Sequence, residues 1–67
     1  MSELAILRMR KGLTQKVMAE KMGIHVATLS LIERKRLVPS VDHRRKIAVA
    51  YGIEEADFFD RQTGLAK

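Results

Sequence analysis

At 67 residues, with one Pro and no Cys, the chain is a single small domain with no disulfide or Cys-held zinc to brace its core. With only two His and little room for a substrate cleft, it is not read as an enzyme. Hydrophobic residues make up 46% of it, which excludes a disordered polyelectrolyte. The apolar runs are short, Leu4 to Leu7 stopping at Arg8, which excludes a membrane span and a secretory signal.

Charge is uneven. Residues 1–47 hold eleven Lys/Arg against four Asp/Glu, and residues 48–67 hold two against four, giving +7 and −2 within the net +5. A basic body points to a polyanionic partner; the bland alternative is a solvated basic surface.

In chain order, the pattern predicts helices and no strand. A first helix spans roughly residues 2–10, capped by Ser2, with Glu3 at its positive end and Leu4 and Leu7 facing inward. A second spans about 15–22 behind Thr14 as N-cap, with Met18, Ala19 and Met22 on one face. A third spans about 26–34 with Leu29 and Ile32 inward. A loop through Pro39 leads to Ser40 and a fourth helix ending at Tyr51, on which Val41, Ile47, Ala48 and Tyr51 are taken to share a face. A short fifth helix, about 54–59, carries Phe58 and Phe59. Gly12, Gly23 and Gly52 each follow a helical run, where a left-handed C-cap belongs. The domain is placed at residues 1–59, and residues 60–67 are expected to form a short flexible tail.

The informative segment is Thr14 to Glu33, TQKVMAEKMGIHVATLSLIE. Two helices of about eight residues flank Met22-Gly23-Ile24-His25. Ala19 permits a close helix crossing and Gly23 a sharp turn, while Ile24 plugs the corner. This is helix-turn-helix spacing, over residues 15–34. Spacing alone also fits an ordinary helical hairpin.

The chain resembles the Cro/CI-type (XRE) helix-turn-helix transcriptional regulators over about residues 3–59. Leu7-Arg8, Gly12-Leu13, Thr14-Gln15, Met18-Ala19, Gly23-Ile24, the run Leu29 to Glu33, Pro39-Ser40, Ile47-Ala48 and Phe58-Phe59 carry the resemblance. It implies an all-α, compact five-helix, lambda-repressor-like DNA-binding domain whose third helix enters the major groove. The implied function is sequence-specific regulation of transcription, as a repressor. The partner would be a double-stranded DNA operator read by a homodimer, its two reading helices about 34 Å apart. Such a protein is cytoplasmic and nucleoid-associated, and needs no cofactor and no small-molecule ligand.

The resemblance also implies site roles. Arg8 and Glu33 would form a partly buried ion pair that orients the third helix, each being costly to bury alone. Thr14, Gln15, Arg34, Lys35 and Arg36 would meet phosphates, with the Gln15 amide pointing outward; Arg10 and Lys11 read better as solvated charges. Phosphate contacts give affinity and salt dependence without sequence information. Base reading would fall to His25, Val26, Ala27, Thr28 and Leu31. Here the sequence departs from the family, which usually places polar side chains at several of these positions. Val26, Ala27 and Leu31 could touch thymine methyls or serve a protein partner, as an antirepressor or antitoxin-like module would. His25 also replaces the usual Ser or Thr cap.

Ile6, Met9 and Val17 are apolar where polar residues are usual, so a small extra contact surface is open to them; they could equally wrap the core. Dimer contacts are placed in the C-terminal part around Tyr51, Phe58 and Phe59, with a core role as the alternative for the two Phe. His25 and His43 have no acidic or Cys companion at ligand spacing, so no metal site is expected. Ser2, Ser30 and Ser40 have no base beside them and read as caps or helix surface.

Overall fold

Ser2 opens the first helix. Its hydroxyl accepts the Ala5 N–H at 3.1 Å and starts α1 (Glu3–Arg10). Thr14 does the same for α2 (Gln15–Met22), accepting from Val17 at 3.1 Å, and Ser40 for α4 (Val41–Tyr51), accepting from His43 at 3.0 Å. The remaining helices are α3 (Val26–Glu33) and α5 (Glu55–Phe58). A computed structural model describes all 67 residues, and the fold is all-helical, with five helices and no strand. Helices of eight residues are marginal alone, so the caps and the shared core hold them.

Gly23 sits at φ 68°, where a side chain would be strained. It lets the Ile24 N–H turn back onto the Ala19 carbonyl at 3.1 Å, which closes α2 and aims the chain into α3. His25 gives α3 no side-chain cap. The end of α3 is less ordinary. The Arg36 N–H bonds Leu31 O at 2.9 Å and the Lys35 N–H bonds Ile32 O at 3.1 Å. This is the two-bond closure usually built on glycine, yet the left-handed position holds Lys35, at φ 62°.

The core joins Leu4 of α1, Met18, Ala19 and Met22 of α2, Leu29 and Ile32 of α3, and Ile47 and Tyr51 of α4. Phe59 and Ala66 complete it. Leu7 and Ile24 pack against its edge. The face assigned to α4 needs one correction. Val41 is 62% exposed, because six residues of helix place it about 240° of rotation from Ile47.

The C-terminal residues also depart from expectation. Residues 60–67 are not a loose tail. The Asp60 N–H bonds Leu65 O at 2.8 Å, and the Gly64 N–H bonds Asp60 O at 2.8 Å. Phe59 and Ala66 form an antiparallel bridge. The Asp60 carboxylate accepts the Gln62 and Thr63 N–H groups at 2.8 and 2.9 Å, and these bonds hold its pKa below the usual value. The domain therefore extends through Lys67. Tyr51 and Phe59 are buried within the chain itself and offer no surface to a second copy. The core role holds for Phe59, and only Phe58 is half-buried.

Candidate nucleic-acid interface

One carboxylate ties the first four helices together. Glu33, at the end of α3, is 3% exposed. Its Oε2 accepts from Arg8 Nε at 2.8 Å and from the Tyr51 hydroxyl at 3.0 Å. Its Oε1 accepts from Arg8 Nη2 at 3.1 Å and from Gln15 Nε2 at 2.9 Å. Arg8 Nη1 goes on to the Leu13 carbonyl at 2.7 Å. The end of the third helix is thus held by α1, α2 and α4 at once. The hydrogen bond to Glu33 raises the Arg8 pKa further, so the guanidinium stays charged. Burial first, and then the Glu33 charge, push the Tyr51 phenol well above its ordinary value, so it remains a donor.

This arrangement changes the place of Gln15. Its amide was expected to point outward; instead it donates inward to Glu33, because a carboxylate already lacking water gains from every donor in reach. The sequence showed no role for Tyr51 in this network. The available signal was an inward-facing phenol, which needs a partner when buried, on a helix packed beside a buried acid.

Beside the network lies an open groove of about 490 Å³. Arg8 and Glu33 reach its floor, and Gln15, Arg34, Lys35 and Arg36 line it. Arg34, Lys35 and Arg36 are exposed, as are Thr14 and Lys16. Thr14 spends its hydroxyl on the α2 cap, and Arg34 Nε lies 3.4 Å from the Ser30 carbonyl. Between Arg8 and Arg36 the chain carries eight Lys/Arg and two Asp/Glu. One of the two acids is Glu33, already paired, so the exposed surface here is strongly positive.

The residues expected to read bases occupy the start of α3 and its outer side. His25, Val26 and Ala27 are exposed, Val26 at 45%, while Thr28 and Leu31 are half-buried. Arg10 and Lys11 are exposed at the end of α1. No group of three or more potential metal-ligating side chains comes together anywhere in the chain, and no helix is long and apolar enough to cross a membrane.

A glycine-cornered helix pair, with a basic rim around the end of its second member, defines a small helix-turn-helix domain of the DNA-binding class. A family model described as helix-turn-helix matches residues 4–58, and the chain belongs to the Cro/CI-type (XRE) helix-turn-helix family. It is a DNA-binding regulatory domain, of a family that is not an enzyme family. No curated protein and no solved structure matches it.

Proposed function

We propose that the protein is a sequence-specific repressor that binds a two-fold operator as a homodimer and lays α3 in the major groove. The carrying observation is the basic rim formed by Arg34, Lys35 and Arg36 beside the start of α2. It sets three exposed cations beside the end of α3, where the one acid, Glu33, is already paired. A duplex lying against this rim would meet these three side chains and the free N–H groups at the start of α2. His25, Val26, Ala27, Thr28 and Leu31 would then face base edges, the apolar ones touching thymine methyls. Repression asks no more of such a domain than stable occupancy of its site.

A second reading rests on the 45% exposure of Val26 beside Ala27: the α3 face would dock a protein, as an antirepressor or antitoxin-like module does. Selection of bound sequences from random duplex DNA separates the two. The DNA reading expects a symmetric site with thymines in each half-site, an affinity that falls steeply with salt, and a salt slope reduced by about one in Arg34→Ala. Replacing those thymines by uracil should cost less than the roughly 1–3 kcal/mol of a bidentate base contact. Salt-independent indifference to every duplex would leave the protein-docking reading.

A further inference from the structure

A second groove, of about 390 Å³, runs between α1 and α5. Ile6 and Leu7 of α1 and Phe58 of α5 supply its apolar lining, and Glu3, Arg10 and Asp57 its charges. It shares no lining residue with the basic groove described above. Lys67 fixes its walls: its N–H bonds Phe58 O at 2.9 Å, and its carbonyl accepts the Glu3 N–H at 2.7 Å. The end of α5, with Asp57, is therefore held beside the start of α1. The charges are sorted by position. Glu3 and Asp57 mark one end of the groove, and Arg10 lies seven residues on, about 10 Å further along α1. The ion pairs of the structure are Arg8–Glu33, Arg44–Glu55 and Lys46–Asp42; Glu3, Arg10 and Asp57 are left free.

We propose that a second copy of this chain covers this groove, with the two α1 helices antiparallel across a two-fold axis at Ile6. This rests on the homodimer reading above and gives it a surface. A two-fold interface must be complementary to itself. An apolar centre with an acidic end and a basic end meets that condition in one orientation only. Turned end for end, each Arg10 faces the Glu3 and Asp57 of the other copy, and Ile6, 38% exposed, meets its own counterpart. In the parallel orientation like charges oppose each other. The residues of α1 that line the basic groove, Ala5, Arg8 and Met9, are not among those that line this one.

Sedimentation equilibrium without DNA tests this through two charge variants. Arg10→Glu makes both ends acidic; Glu3→Lys with Asp57→Lys makes both ends basic. The wild type should dimerise across a concentration series, each variant alone should be monomeric, and an equimolar mixture of the two should form a one-to-one heterodimer. The mixture also shows that both variants fold. A wild type that stays monomeric overturns the proposal, as does a dimer that survives in Arg10→Glu or variants that fail to pair when mixed. Binding of wild-type protein to a duplex carrying one half-site judges the DNA reading separately, since one half-site needs no dimer.

Discussion

Glu33 accepts four hydrogen bonds, two on each oxygen, and a carboxylate offers about four lone-pair sites. Its acceptor capacity is full. Glu33→Gln keeps the shape but turns one oxygen into a donor, so two of the four incoming donors then meet an N–H. Each stranded donor costs about 1–3 kcal/mol. Glu33→Ala removes all four acceptors and leaves the Arg8 guanidinium, 11% exposed, without its counter-charge. The expected loss is about 3–5 kcal/mol. A domain of this length has about 3–10 kcal/mol in total, so Glu33→Ala should be largely unfolded at modest urea. Urea titrations followed by circular dichroism, on Arg8→Ala, Glu33→Ala and the double variant, give the coupling. The double variant should be destabilised by at least about 1.5 kcal/mol less than the sum of the singles. Additivity within about 0.5 kcal/mol would mean that the two side chains act independently, and the account of Glu33 as the junction of four helices would be wrong.

Tyr51 carries a pH signature. Its phenol pKa is raised in the fold, so the stability tied to the neutral form is complete below the ordinary value of 10.0 and is lost as pH rises above it. Urea midpoints measured from neutrality to beyond that pH should fall in the wild type and flatten in Tyr51→Phe, which itself loses about 1–2 kcal/mol at neutral pH for the missing bond. Lys35 pays a left-handed backbone at φ 62°. Lys35→Gly should therefore keep or raise the melting temperature, by relief of about 1 kcal/mol, while lowering the salt slope of duplex binding by about one; a large loss of stability would contradict the strain.

The elements were legible because their signals are local. Ser2, Thr14 and Ser40 are helix caps that need only their own first turn, and Gly23 marks a corner by its backbone freedom alone. The inward faces of α2 and α3 follow from spacing. What escaped is what depends on partners distant in the chain. Tyr51 and Gln15 meet Glu33 across eighteen residues each way, and no periodicity encodes that meeting. Lys35 hides a turn that glycine would have announced. Residues 60–67 look polar and frayed, yet Ala66 is one small residue that fits the core beside Phe59, and the Asp60 carboxylate folds the turn that brings it there. The pairing of Arg8 with Glu33 entered through family resemblance, not through spacing.

Gln15 is where stability and DNA binding are most easily confused. In the folded chain its amide donates to Glu33, and the Thr14 hydroxyl is taken by Val17. The donors left facing outward at the start of α2 are backbone N–H groups and the exposed Lys16 ammonium, which no change at Gln15 removes. Gln15→Ala should then weaken the fold by about 1 kcal/mol, the worth of one hydrogen bond to a charged and already crowded acceptor. Under conditions where both proteins are fully folded, it should leave duplex affinity close to that of the wild type. Gln15→Glu sets a second carboxylate against Glu33 and should destabilise far more, with partial recovery at acidic pH as one of the two takes up a proton. Thermal melts paired with anisotropy titrations on one duplex separate the roles. If Gln15→Ala melted like the wild type and bound all duplexes more weakly, the amide would leave Glu33 for a phosphate in the complex. The inward bond would then be a resting position, not a brace for α3.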